Sequence, residues 1–203
     1  MSKSKVCVTY AFVYNPWMIA KTIAAQLGKT GVCVWPNYLS KDFLRKIRRD
    51  LDQIHHSGVF EPAGTGQGKG NDIHAEIRRD EIHWLDRIDA NAAQTQLWKK
   101  LDALKQALNR NLFLGISSFE GHYAAFAKGG FYHRHLDSFR NDDARIVSLV
   151  LYLNKNWQAA DGGRLRIHDN DSHIDIDPVG GTMVCFMSRE SEHEVLESHA
   201  NRF

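Results

Sequence analysis

The chain has 203 residues, 43% of them hydrophobic and 25% charged, with a formal net charge of +2. That balance fits a soluble globular protein with enough core to fold without cross-links, and it excludes a disordered chain or a strongly basic nucleic-acid binder. No apolar run reaches membrane-spanning length, and the three cysteines, Cys7, Cys33 and Cys185, are too few and too widely spaced for a disulfide framework, so a reducing compartment, the cytoplasm, is expected.

Val6 to Tyr10 reads as β-like and is followed after Pro16 by a helical stretch to Leu27, closed by Gly28 and Gly31. No role is legible for this segment, residues 1–31. Val32 to Trp35 reads as a strand. Ser40 is placed to cap a helix whose Phe43, Leu44, Ile47, Leu51 and Ile54 recur at helical spacing, with the basic Arg45-Lys46-Ile47-Arg48-Arg49 run largely on its solvated face. Residues 62–71, with Gly64, Gly66, Gly68 and Gly70, form a flexible loop suited to a lid; no Gly-Lys-Ser/Thr follows, so they are not a phosphate cradle. Arg78-Arg79-Asp80-Glu81 reads as a solvated or salt-bridged edge. Ala92 to Asn111 is a second long helix with Leu97, Leu101, Leu104 and Leu108 as its buried stripe.

From Ser117 the texture changes to short alternating runs separated by Gly, Asn and Asp. Strands are predicted at 119–127, 131–139, 145–153, 164–168, 173–177, 182–187 and 192–196, with an eighth beginning near Asn201. Helices followed by strands define an α+β class: a double-stranded β-helix (jelly-roll) core over about 117–203, buttressed by N-terminal helices, within one domain over 32–203. With Phe203 as the last residue, the eighth strand is expected to be incomplete.

His135-Leu136-Asp137, His193 and Arg202 carry the chemistry. Two histidines and a carboxylate on one face of Fe(II) leave three positions for a bidentate cosubstrate and O₂. A planar guanidinium is the natural partner for that cosubstrate's far carboxylate. On a strand, residues i and i+2 share a face, so His135 and Asp137 can reach one ion. His173-Ile174-Asp175 has the same form. The run from His135 to His193 holds about four short strands, enough to bring two distant strands together, whereas the run from His173 to His193 holds barely one. His133, expected on the same side as His135, is the competing ligand. The other histidines, with Trp84 and Trp157, read as packing or surface residues.

Gly-Gly-Phe-Tyr-His-Arg-His-Leu-Asp (129–137), Leu-Tyr-Leu-Asn-Lys-Asn-Trp (151–157), Asp-Gly-Gly-Arg-Leu-Arg-Ile (161–167) and His-Glu-Val (193–195), with Arg79-Asp80-Glu81-Ile82-His83-Trp84-Leu85 upstream, together resemble the prolyl 4-hydroxylases of the hypoxia-sensing type and their bacterial relatives. The resemblance covers roughly Val32 to Arg202. It implies an Fe(II)/2-oxoglutarate-dependent dioxygenase that hydroxylates a prolyl residue of a protein, a translation factor among the candidates, releasing succinate and CO₂. Ascorbate is implied as an accessory.

By the same resemblance, His135, Asp137 and His193 are the iron ligands, Arg202 anchors the 2-oxoglutarate C5 carboxylate and Tyr152 hydrogen-bonds it. Leu165 and Val195 line the cosubstrate pocket, and Arg145 stands at a substrate-contacting position. Where the family often carries a tyrosine near the cosubstrate, Phe126 stands closest and Tyr123 would need a shift. The alternatives are the same iron chemistry on a small molecule or nucleobase, and a non-catalytic jelly-roll binding module.

Overall fold

The structure, a computed structural model, describes residues 16–65, 72–138 and 145–203; Val6 to Tyr10 and 66–71 of the glycine-rich loop lie outside them. Helix α1 (Pro16–Thr30) starts on a proline, whose fixed φ suits the first helical turn. It runs through Gly28 instead of stopping there; a Cβ at that position would sit 2.6 Å from Leu112 Cδ2, so glycine lets the neighbouring helix pack closely. The chain leaves α1 at Gly31, whose φ of 75° is the left-handed exit that glycine adopts readily.

Helix α2 (Lys41–His56) is capped by Ser40, which accepts from the Phe43 amide at 3.3 Å, and buries Phe43, Ile47 and Leu51, while Leu44 and Ile54 are half-buried. Helix α3 (Ala92–Leu112) opens with a capping box between Asn91 and Gln94 and buries the predicted stripe Leu97, Leu101, Leu104 and Leu108. A buried carboxylate joins these elements. Asp50 of α2 accepts from Asn91 Nδ2 at 2.5 Å, Gln94 Nε2 at 2.9 Å and Tyr123 Oη at 2.6 Å.

The strands are β1 (Val32–Trp35), β2 (Glu61–Pro62), β3 (Glu81–Trp84), β4 (His122–Ala125), β5 (Tyr132–His135), β6 (Val147–Leu151), β7 (Leu165–Asp169), β8 (Ser172–Ile176), β9 (Met183–Met187) and β10 (His193–Val195). All named pairings are antiparallel, in the orders β1-β9-β6, β2-β3-β4 and β5-β10-β7-β8. The first two sheets meet through Arg202 and Phe203. Arg202 and Phe126, just past β4, exchange two backbone hydrogen bonds of 2.8 Å, and Phe203 O accepts from Leu153 N, just past β6, at 3.1 Å.

One face of β1-β9-β6 packs Cys33, Trp35, Met183 and Cys185 against α1 and α3. The other packs Val32, Val34, Val184 and Phe186 against Leu165, Ile167 and Ile176 of the four-stranded sheet. Burial on both faces explains why Val-Cys-Val-Trp and Met-Val-Cys-Phe-Met are continuously apolar and do not alternate. The result is a mixed α+β arrangement of helices, sheet and sheet, with no helix among the described residues long and apolar enough to cross a membrane.

The seven strands predicted from Ser117 onward are all present; those expected at 119–127, 131–139 and 145–153 shrink to 4, 4 and 5 residues. Two strands had escaped the sequence reading. β2 is a two-residue edge containing a proline, and β3 begins at Glu81, the last residue of the segment read as a charged edge.

Candidate metal centre and adjoining pocket

β10 lies between β5 and β7, so His193 stands directly opposite His135 on one side and Ile167 on the other. His193↔His135 and Val195↔Tyr132 are aligned pairs, with one residue between them on β10 and two on β5, so β5 carries a bulge at His133-Arg134. The bulge breaks the alternation expected for this strand. Tyr132 turns to the side of His135, its ring stacked on the imidazole at 3.5 Å between centroids, and His133 lies exposed against Phe131. His133 is therefore not in the cluster.

Asp137 sits just beyond the end of β5, in a bend, and still reaches the histidines. Its Oδ1 is 3.4 Å from His135 Nε2 and 3.6 Å from His193 Nε2. His135, Asp137 and His193 form a group whose ligand atoms lie within 4.8 Å of one another and can hold a metal ion. His173 and Asp175 of β8 are engaged elsewhere; Asp175 pairs with Arg166 at 2.7 Å. In both site histidines Nδ1 faces a backbone carbonyl, that of His133 at 2.7 Å for His135 and that of Ser191 at 2.9 Å for His193. A proton held on Nδ1 leaves the Nε2 lone pair aimed into the cluster, the tautomer a metal needs.

The Asp137 carboxyl is subject to opposed influences. Burial raises its pKa, but the hydrogen bond from His135 and the charge of His193 when those rings are protonated, with the Ser148 hydroxyl, outweigh it and hold the group well below the usual carboxylate range. Burial pushes His193 the other way, towards the neutral ring. A carboxylate with two neutral imidazoles is the donor set of an open mononuclear centre.

Arg202 is buried against two aromatic rings, its Cζ 4.6 Å from the Phe126 centroid and 5.4 Å from that of Tyr152. Tyr152 Oη, Arg202 Nε and Ser198 Oγ are buried without a hydrogen-bond partner among the described residues, and Arg202 makes no ion pair there. Gly163 gives this group room: a Cβ on it would meet Ser198 Oγ at 2.4 Å and Arg202 Cδ at 2.7 Å. Leu165 and Val195 are aligned partners on β7 and β10, and Leu165 packs with Tyr152. Arg145 lies at the rim, paired with Glu120 at 2.8 Å, its Nη1 3.5 Å from the Asp137 carbonyl. Phe126 brings no hydroxyl, and Tyr123 points to the opposite face of β4, bonded to Asp50.

Sequence reading missed what surrounds the ligands. Arg78, bonded through Nε and Nη2 to the buried Asp80 at 2.7 and 2.6 Å, lies 4.2 Å above the Tyr132 ring that stacks on His135. The edge read from Arg78 to Glu81 is thus salt-bridged, and its Asp80 carboxylate is buried while Glu81 is exposed.

A two-histidine, one-carboxylate centre between antiparallel sheets, beside a buried cation, defines a class of open-site metalloenzyme. This chain belongs to the 2OG-Fe(II) oxygenase superfamily, whose family model matches residues 121–203. It is similar to the solved structure of a Pseudomonas putida prolyl-4-hydroxylase, with 37% identity, a TM-score of 0.83 and coverage of 91% of this chain and 94% of that one. A prolyl hydroxylase from Trichoplax adhaerens, in complex with a hypoxia inducible factor oxygen degradation domain peptide fragment, matches at 28% identity and TM-score 0.79 over 92% of this chain and 86% of that one. The hypoxia-inducible factor prolyl hydroxylase of Caenorhabditis elegans is 29% identical over 95% of this chain and 28% of its own length. The chain spans less than half the length of the first curated relatives it matches. The family uses Fe(II), 2-oxoglutarate and O₂.

Proposed function

We propose that this chain hydroxylates a prolyl residue of a protein substrate, as an Fe(II)/2-oxoglutarate-dependent dioxygenase built on a double-stranded β-helix. Residues 32–203 form its catalytic domain. The reading is supported by relatives named for prolyl hydroxylation and carried by one observation: Arg202 is a buried guanidinium with no acidic partner among the described residues. An unpaired buried cation is strongly unfavourable, so the site calls for an anion. A dicarboxylate with one end on Arg202 and the Tyr152 hydroxyl, beside Leu165 and Val195, fits it.

His135, Asp137 and His193 would hold the iron. When bound, Fe(II) supplies the activation of O₂ that couples decarboxylation of 2-oxoglutarate to insertion of one oxygen atom into a C–H bond. Arg202 and Tyr152 fix the cosubstrate's far carboxylate, the apolar walls exclude water, and Arg145 at the rim is placed to contact the polypeptide. We assign the protein to the cytoplasm, with ascorbate as an accessory reductant and a translation factor among its candidate substrates; the free thiols Cys33 and Cys185 fit that compartment.

Anaerobic titration with Fe(II) and 2-oxoglutarate, followed by succinate release on admitting air, tests the assignment. Wild type should bind both and form succinate. His135→Ala should lose iron, and Arg202→Ala should keep iron while weakening 2-oxoglutarate about a hundredfold, the scale of removing one partner of a buried charge pair. Wild type that binds iron and leaves 2-oxoglutarate untouched would overturn the reading. A candidate substrate is confirmed by the mass of one oxygen added at a proline.

A further inference from the structure

The two oxygens of Asp137 have different surroundings. Oδ1 faces the Nε2 atoms of both site histidines, at 3.4 and 3.6 Å. Oδ2 accepts a hydrogen bond from Ser148 Oγ at 2.5 Å. That hydroxyl is also 2.9 Å from Ser188 Oγ. A hydroxyl has one proton, and Ser148 gives it to the carboxylate, so Ser188 must be the donor to Ser148. The backbone fixes this relay. Ser148 on β6 is aligned with Phe186 on β9, and Ser188, just past β9 and fully buried, donates its amide to Ile146 O at 3.1 Å.

We propose that Ser148, oriented by Ser188, is a positioning residue that occupies Oδ2 and so restricts Asp137 to a single metal bond through Oδ1. The proposal rests on the oxygenase reading above and adds a requirement to it. Carboxylates bind metals through one oxygen or both. Three protein donors on an octahedral ion leave three positions, two for the bidentate cosubstrate and one for O₂. A chelating Asp137 would remove one of them. Ser148 thereby protects the reaction's coordination sites without touching metal or substrate.

The test uses the full chain loaded with Mn(II), with the aspartate carboxyl groups labelled with ¹³C. Infrared difference spectra of metal-bound minus metal-free protein read the splitting between antisymmetric and symmetric carboxylate stretches, which is wide for binding through one oxygen and narrow for a chelate. Wild type and Ser148→Thr should show the wide splitting. Ser148→Ala should show the narrow one, with Mn(II) affinity kept or increased and 2-oxoglutarate affinity reduced roughly ten- to a hundredfold, the range for loss of a partner hydrogen-bonded to a metal ligand. Ser188→Ala, which keeps the Ser148 hydroxyl but not its donor, should fall between, and it supplies the readout if Ser148→Ala does not fold. Wide splitting and unchanged 2-oxoglutarate affinity in the alanine variants, or alanine-like behaviour of Ser148→Thr, would overturn the proposal alone. Wild type that binds Mn(II) and not 2-oxoglutarate would overturn the oxygenase reading with it.

Discussion

Asp50 shows how much a single buried side chain can hold. Its three donors come from the α3 cap, the first turn of α3 and β4, and all are neutral. Asp50→Ala would leave the Tyr123 hydroxyl and the Gln94 amide unsatisfied, and urea unfolding should show a loss of about 2–4 kcal/mol. The thiols make a second prediction. Burial pushes Cys33 up to about 12 and Cys185 well above its ordinary value, so neither forms the nucleophilic thiolate at neutral pH. Iodoacetamide labelling of native protein at pH 8, mapped by peptide, should leave both unmodified until denaturant is added. The candidate cluster of His135, Asp137 and His193 and the candidate anion partner Arg202 were legible from type and spacing because metal and anion chemistry admit few substitutes. Ser148, Ser188 and Asp50 were not, since a serine on a strand or an aspartate on a helix looks like any solvated residue until its partner is known.

At the scale of elements, the strands after Ser117 were readable because alternation and turn residues act locally. The β5 bulge was not. One extra residue changes which side chains turn inward, and no composition rule placed it between Tyr132 and His135. Deleting His133 would leave one residue between Tyr132 and His135, matching the one between His193 and Val195, so regular pairing would keep both rings on the site face; Fe(II) titration of that variant should show iron still bound by a folded protein. A helix terminus offers a simpler case. Phe113 ends α3 in the left-handed region at φ 55° and ψ 35°, and it is 89% exposed. Left-handed geometry disfavours a Cβ by about 1–2 kcal/mol, partly offset by the chain entropy of glycine. Phe113→Gly should therefore raise stability by about 0.5–1 kcal/mol, seen as a higher urea midpoint at unchanged slope.

Across the whole molecule, the four-stranded sheet carries pairs of charges on its outer face, including Arg166–Asp175 and Arg164–Asp177, each at 2.7 Å. The hydrogen bond from Arg166 holds Asp175 below its ordinary pKa. A carboxyl depressed on folding adds stability above its unfolded pKa and loses it as pH falls towards the folded value. Stability should thus decline below about pH 4. Asp175→Asn should flatten that decline by no more than about 1 kcal/mol, because the pair is partly solvated. Urea midpoints at pH 6 and pH 3 measure both.

Arg202 belongs to two structures at once. Its side chain offers the buried cation, and its backbone closes the seam between β4 and β6 through Phe126 and, one residue on, Leu153. On the reading proposed above, 2-oxoglutarate held by Arg202 would also fasten a seam, and the ligand's binding energy would become resistance to local opening. Amide exchange at Phe126, Leu153 and Arg202 should slow when 2-oxoglutarate is added, while the β7–β8 hairpin keeps its rate, so that occupancy of the pocket can be timed from backbone hydrogens that never touch the ligand.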